Sequence, residues 1–548
     1  MIGLRFQGVL AAAALLLVSL PTAPSYSAVD KPEYGGAIIV GVPGEQKNLN
    51  SATYPATFSG QLISINIFDG LLRTSKFGDG AVTPALAKSW EVSEDGLKYT
   101  FHLRDEVKWH DGKPFTSADV KFTILDVAIP HHPQGKSNFE GVASIETPDP
   151  YTVIFNLSQP DASFLSKLDP KFASMAPKHL LEGKDIPRDA YNWAPIGTGP
   201  FKFKEWVRGS HIILEKNKDY WAVAPNGDRL PYLDRLIFKM VPNASTLMSS
   251  LEAGEIDFIH SFPGVVPLAE VSRLNQPGTG VRAHTFSYAN KALDFLFMNT
   301  KGKLTGDVRV RRALAQLINT DEIIDKVFAG VAEPVRRKDS GFMTWYTGTV
   351  PKAYYPFDPK AAEAILDGAG YKKGPDGRRF VLNMTVNQKD GYVQKIVDIM
   401  RTGFQAAGIG LDVKVYDVST LTEKVHKQLD YDLHITAIAV GPDPDLLTKT
   451  WHSDNIGKGW NNNSSAYNNP KVDKLLEEGR AVIDPEKRKA VYAEVQEILM
   501  DEIPMLPMTE ALWLWTYNDK LGGFPIGYTF RDGLETVYWK GGAPANRR

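Results

Sequence analysis

FHLRDEVKWHDGKPFTSADV, residues 101–120, carries His102, Glu106 and His110 at intervals of four. On a helix that spacing would stack two imidazoles and a carboxylate along one face, as a catalytic metal site requires. The neighbouring residues argue otherwise. Tyr99, Phe101 and Leu103 alternate with Thr100, His102 and Arg104, a period of two that predicts a half-buried strand. Asp111-Gly112-Lys113-Pro114 then breaks the chain, and Ser117 to Asp126 is expected as a helix with Thr116 or Ser117 as its N-cap. His102 and His110 therefore share no helical face, and the stretch is framework.

Working outward, the first half reads as short strands between Pro/Gly turns: Ala37 to Gly41, Lys98 to Arg104, Thr152 to Leu157, Phe201 to Trp206, His211 to Lys216 and Leu236 to Met240. Beyond residue 300 the character changes. Val308 to Leu317 and Asp321 to Phe328 are predicted helices. Strand Phe380 to Val386, helix Val393 to Ala407, strand Leu411 to Val418, helix Leu421 to Gln428 and strand Tyr431 to Val440 then alternate, which predicts a parallel or mixed sheet with right-handed crossovers. Asn469-Pro470 and Asp484-Pro485 open two further helices, with the polar residue as cap and Pro in the first turn. From Ile503 the sequence is again aromatic and strand-like. The expected architecture is an α/β fold of two lobes with mixed sheets and a ligand cleft between them. Residues 28–293 plus 508–548 form a β-rich lobe, and 294–507 form an α/β lobe inserted into it. Two chain crossings would permit hinge motion.

The 548 residues are 43% hydrophobic and 23% charged, the balance of a soluble globular chain. A net charge of -2 leaves no electrostatic footprint for nucleic acid, and the short run Arg336-Arg337-Lys338 is read as solvated surface. With no cysteine, disulfides, thiolate metal sites and cysteine nucleophiles are excluded. At the N-terminus, Arg5, the apolar run Val9 to Leu20 and the small-residue site Ser25-Tyr26-Ser27 form the three parts of a secretory signal. The run is shorter than the roughly 20 residues a membrane span needs. Residues 1–27 are expected to be a cleaved signal peptide, leaving no membrane anchor.

No GxSxG, HExxH or GxxxxGK[ST] motif is present, and no catalytic residue, metal or cofactor is expected. GTGPF, residues 197–201, is a turn entering a strand. Ligands of open α/β sheets sit beyond the C-terminal ends of strands, so the end of Tyr431 to Val440 and the turn Gly441-Pro442-Asp443-Pro444-Asp445 are candidates. Asp443 has a turn-capping role as its competing reading. Aromatics lie nearby in sequence, at Trp451, Trp460 and Tyr467, with Trp345-Tyr346 earlier. The expected cleft contacts are Asn48, Asn50 and Tyr54 in an early loop, Trp345 and Tyr346, and Val440, Gly441, Asp443 and Asp445 with Trp460. Ring faces there would stack on a ligand while carboxylates and backbone groups orient it.

TPALAKSWEVSEDGLKYTFHLRDEVKWHDGKPFTSADVKFT, residues 83–123, resembles the signature of the peptide/nickel-type extracytoplasmic solute-binding proteins of ABC importers. Pro84, Leu86, Ala87 and Trp90 match its first part, and Asp95, Gly96, Tyr99, Phe101, Leu103 and Arg104 its second. His110, Asp111, Gly112, Pro114, Phe115, Asp119 and Val120 match its third. Similarity continues through 67–72, 197–206, 230–241, 310–319 and 468–479, covering essentially the whole mature chain. The resemblance implies the periplasmic-binding-protein fold of type II with an extra subdomain, closing over its ligand. It implies a periplasmic, monomeric receptor that hands a short peptide or other small molecule to an inner-membrane permease and its ATPases, and hydrolyses nothing. In peptide-binding members of the family, an Asp on the loop after the corresponding strand captures the peptide's amino terminus. Here that position is Val440, which moves weight toward peptide-like, oligosaccharide-like, opine-like or chelate ligands unless Asp443 or Asp445 takes over. Two other readings are a secreted two-lobed hydrolase and a chelated-metal receptor using His131, His132, His434 and His452.

Overall fold

The computed structural model describes residues 31–548 apart from 55–57, 75–81, 262–265, 269, 288–291, 333, 336, 389–390, 440–442, 460–461, 511 and 525–532. The expected signal segment, residues 1–27, lies outside the described residues, and no helix among the described residues is long and apolar enough to cross a membrane.

Strand Lys98–Leu103 buries Tyr99, Phe101 and Leu103 and leaves His102 half-buried on the other face. It pairs antiparallel with Ala87–Val92 and Thr152–Leu157, and Val142–Asp149 completes a four-stranded sheet. The helix Ser117–Phe122 starts where expected, with the Thr116 N–H donating to Asp119 Oδ2 at 2.9 Å. The Thr123 hydroxyl bonds the Asp119 carbonyl at 2.7 Å, a back-bond that bends helices, and the chain continues as a wide π-helical turn, Thr123–Ala128.

His110 is a staple. Its backbone N–H donates to the Gly197 carbonyl at 2.9 Å, its Nδ1 accepts from the Gly197 N–H at 3.1 Å, and its Nε2 donates to the Gly199 carbonyl at 3.0 Å. Burial pushes its pKa down to about 4, so the ring is neutral and the pairing of one acceptor with one donor is satisfied. The staple fastens the four-stranded subdomain to GTGPF, which enters strand Phe201–Val207 as expected. A Cβ on Gly197 would stand 1.9 Å from the Ile67 carbonyl oxygen. Gly197→Ala is expected to destabilise the fold by about 3 kcal/mol, since a buried backbone carbonyl cannot move aside; a melting temperature equal to wild type would contradict this packing.

The largest sheet has seven strands in the order 281–287, 512–518, 258–261, 37–42, 235–240, 211–216, 201–207, with Ala37–Val42 parallel to both neighbours and the other pairs antiparallel. The second has five, in the order 409–416, 380–387, 433–439, 292–298, 505–510. Phe380–Asn387 runs parallel to both its neighbours, and Ala292–Met298 antiparallel to both of its own, which is the mixed sheet the strand-helix alternation predicts. Alternate residues of Ala292–Met298 feed two cores. Leu293, Phe295 and Phe297 join Phe342, Trp451, Tyr492 and Leu499 on one face, while Leu296 and Met298 join Val310, Leu314, Met400 and Phe404 on the other. Each fully buried side chain of this size contributes about 1.5–3 kcal/mol. The two late helices, Pro470–Ala481 and Pro485–Glu502, begin at the expected caps: Asn469 Oδ1 accepts from the Lys471 N–H at 3.0 Å and Asp484 Oδ1 from the Lys487 N–H at 2.9 Å. The chain leaves the seven-stranded sheet after 281–287 for 292–298, and returns between 505–510 and 512–518.

Candidate functional site

One row of residues crosses the five-stranded sheet at its edge nearest the crossings: Glu510 pairs with Leu293, and Leu293 with Ile438. At about 4.8 Å per strand the row is about 10 Å long, so Glu510 stands on the same edge as the loop that follows strand Leu433–Ala439. A cavity of about 350 Å³ opens there, lined by Pro334, Val335, Arg337, Asp339, Ser340, Gly341, Phe342 and Glu510. Pro334 and Val335 are tied to Thr509 and Met508 by backbone pairing, which fixes the cavity's wall against the strand. Glu510 is 8% exposed, whereas Arg337 and Asp339 are exposed at the mouth. Next to Glu510 in the strand, Thr509 points the other way, donating its hydroxyl to Asp294 Oδ2 at 3.0 Å; the Tyr392 hydroxyl donates to Asp294 Oδ1 at 2.9 Å.

The expected contacts divide sharply. Asp443 does not offer its carboxylate to the cleft: Arg488 grips it with two bonds, Nη1 to Oδ2 at 2.7 Å and Nη2 to Oδ1 at 2.6 Å, and Oδ1 also accepts from the Asp445 N–H at 2.9 Å. Burial works against the Arg488 charge, but the Asp443 carboxylate outweighs it and raises the Arg488 pKa above its ordinary value. Asp445 is also engaged. Its oxygens accept from Arg480 Nε at 3.1 and 3.2 Å and from the Thr448 hydroxyl at 2.8 Å, and the Ser163 hydroxyl, shared with Asp161, stands 3.1 Å away. Burial would raise the Asp445 pKa, yet Arg480 and Lys167 hold it below the usual carboxylate range. Both carboxylates brace the loop, and the oxygens expected from sequence to face a ligand are taken up by arginines. Charged partners this close and this buried are not given up cheaply.

The early loop is likewise partly internal. Asn50 is 1% exposed, donates Nδ2 to Asn192 Oδ1 at 2.8 Å and accepts the Ala52 N–H at 3.1 Å; it ties the loop together from inside. Asn48 Oδ1 accepts from the Asn50 N–H at 3.2 Å and Asn48 and Tyr54 are half-buried, with the Lys47 ammonium 5.9 Å from the Tyr54 ring centroid. Tyr346 accepts from Arg488 Nη1 at 3.1 Å and packs edge-on against Tyr492 at 5.8 Å, so it supports the Asp443 clamp. Trp345 is half-buried and its ring lies 5.7 Å from that of Tyr346. Trp451 and Tyr467, 1% and 2% exposed, are core. Val440, Gly441 and Trp460 lie outside the described residues.

The histidines of the metal reading stand apart. His434 Nδ1 sits 3.0 Å from the Thr385 carbonyl inside the sheet, His132 Nδ1 accepts from the Gln134 N–H at 3.1 Å, and His452 Nε2 lies 3.3 Å from Glu477 Oε1. Among the described residues no three His, Asp or Glu side chains are grouped to hold a metal ion. Arg337 is exposed, as expected of a solvated basic run, and it is the cavity that gives it a neighbour of opposite charge along the same rim. Glu510 was not a candidate from sequence; a carboxylate ending the all-buried strand Met505–Glu510 is the local signal that sets it apart.

Residues 81–459 match the profile of the bacterial extracellular solute-binding proteins, family 5. A putative ABC transporter peptide-binding protein of Brucella ovis is 30% identical over 512 residues, covering 89% of each chain. The oligopeptide-binding protein AppA of Bacillus subtilis, solved with a nonapeptide, superposes with a TM-score of 0.75 at 25% identity, covering 93% of this chain and all of that one. AgaA of A. tumefaciens R10, solved with agropinic acid, gives 0.73 at 27% identity over 92% of this chain and 99% of its own. With the profile spanning well over half the sequence, and with relatives that are binding proteins from end to end, this chain belongs to the bacterial extracellular solute-binding proteins of family 5.

Proposed function

We propose that this protein is a periplasmic receptor which captures a peptide-sized solute, a peptide or a peptide-like or oligosaccharide-like molecule, and delivers it to an inner-membrane ABC permease driven by its ATPases. It acts as a monomer after removal of residues 1–27 and turns nothing over. Residues 28–293 with 508–548 make one lobe and 294–507 the other; the strands change sheet between 287 and 292 and between 510 and 512, so the crossings lie within a few residues of those bounds. The observation that carries the reading is the polar cavity of about 350 Å³ at the sheet edge beside those two crossings, where lobe closure would enclose a ligand.

Of the contacts expected from sequence, Asn48, Tyr54, Trp345, Val440, Gly441 and Trp460 stay as proposed ligand neighbours. Asn50, Tyr346, Asp443 and Asp445 are reassigned to the framework. Glu510 and Arg337 are added as the charged groups that orient the solute. Native mass spectrometry of the gently purified protein, followed by denaturation, tests the function: a released small molecule or peptide ladder is expected, and a protein that neither carries nor takes up any solute would overturn it. With the released molecule as probe, Glu510→Gln is expected to weaken binding at least about tenfold, because hydrogen bonds to a buried charge contribute about 1.5–3 kcal/mol. Calorimetric titration giving an unchanged dissociation constant would remove Glu510 from the site.

A further inference from the structure

The four-stranded subdomain is attached on two sides. Toward the seven-stranded sheet the attachments are dense. Arg73, at the subdomain's start, bonds Asp69 and Glu535, the latter at 3.0 Å; His110 staples Gly197 and Gly199; and Lys202 donates to the His110 carbonyl at 2.9 Å. Toward the five-stranded sheet a second, narrower contact exists. The Ala162 N–H donates to the Arg480 carbonyl at 2.9 Å, and the Ser163 hydroxyl, 2.6 Å from Asp161 Oδ1 in its own subdomain, stands 3.1 Å from Asp445 Oδ2 across the seam and shares its one proton between them. Ser163 is fully buried and Asp445 is 5% exposed. Behind them Lys167 is held by Asp161 at 2.5 Å, and Ile483 lies against Gly96, where a Cβ would stand 2.8 Å from it. Residues 96 and 161–167 belong to the subdomain, whereas 445, 480 and 483 belong to the loop and helices that pack on the five-stranded sheet.

We infer that this seam is a latch: it parts when the lobes open and holds them shut when closed, by contacts that include no ligand atom. The unequal attachments give the direction. When the two sheets swing about their two connections, the dense contacts to Arg73, His110 and Lys202 keep the subdomain with the seven-stranded sheet, and the pairs Ala162–Arg480 and Ser163–Asp445 are the ones that break. The latch is backed by two ion pairs. Asp443 Oδ1 accepts the Asp445 N–H at 2.9 Å while Arg488 and Arg480 clamp the two carboxylates, so the segment Asp443-Pro444-Asp445 is one rigid piece. Its far end carries the latch. This adds a closure device to the receptor reading and uses that reading only for the sense of the motion.

Because the chain has no cysteine, Ala162→Cys with Arg480→Cys creates a single thiol pair. Backbones bonded at 2.9 Å bring Cα atoms to about 5–6 Å, within reach of a disulfide. The protein is stripped of bound molecules by unfolding and refolding, and its radius of gyration is measured by small-angle scattering. The reduced double variant is expected to expand to the open form and the oxidised one to lose that expansion. Ser163→Ala, which keeps both arginines, is expected to shift the open-to-closed ratio about threefold toward open, the weight of a hydrogen bond whose proton is shared with Asp161. A bridge that fails to form, equal radii in the oxidised and reduced states, or an Ser163→Ala profile identical to wild type would each overturn the latch. Failure of the receptor reading shows separately, as a native mass spectrum with no bound solute while the oxidised and reduced radii still differ.

Discussion

Asp443→Ala lowers the stability of this protein by about 3–5 kcal/mol, the cost of leaving a buried guanidinium without its carboxylate. Arg488 is 5% exposed, and two of its nitrogens are satisfied by Asp443 at 2.6 and 2.7 Å. The remaining partners, the Gly479 carbonyl at 2.7 Å and the Tyr346 hydroxyl at 3.1 Å, carry no formal charge. The loss falls on the helices Pro470–Ala481 and Pro485–Glu502, which the clamp joins to the cleft loop. Chemical denaturation monitored by tryptophan fluorescence reads it as a lower midpoint. The double replacement Asp443→Leu with Arg488→Met is expected to recover most of the loss, because a buried ion pair replaced by apolar groups of similar volume is close to neutral. A single Asp443→Ala variant as stable as wild type but binding solute more than tenfold more weakly would return Asp443 to the ligand.

Acid weakens the fold steeply between pH 6.5 and about 4. Burial is the main cause that pushes the imidazoles of His110, His132 and His434 down to about 4 and that of His426 to about 3, the last also feeling His434 across 5.6 Å. In the unfolded chain each titrates near 6.5. As pH falls below that value the unfolded chain binds protons that the folded one refuses. Each group then removes up to about 1.4 kcal/mol per pH unit until its folded pKa is reached. Above pH 7 both states are neutral at these positions and the four histidines impose no slope. Unfolding free energies at pH 7.5, 6, 5 and 4.5 are expected to be flat at first and then to fall by several kcal/mol. An acid-independent midpoint, or ring resonances of these histidines that titrate near 6.5 in the folded protein, would show that the rings are not sequestered.

The sequence by itself determined the local elements. The alternation of Tyr99, Phe101 and Leu103, the caps at Asn469 and Asp484 and the succession of strands and helices from Phe380 to Ala439 are short-range patterns, and each reports which residues of one segment face a core. The family signature around residues 83–123 carried the class of protein in the same way. Only the tertiary structure decided which carboxylates are taken up in internal ion pairs. Asp443 and Asp445 look alike in sequence and sit on the expected loop, but their charged partners are Arg488 and Arg480, 45 and 35 residues away. No periodicity records such a meeting, because a buried charge is assigned by whichever opposite charge the fold brings within about 3 Å. Glu510 is a second case of placement by the fold. Its strand is legible as buried, yet that its last carboxylate opens on a cavity depends on Ala292–Met298 placing it in register with Ile438. Burial is a local property and leaves a local trace; pairing of distant charges is not, and the roles of these carboxylates were therefore decided by the fold.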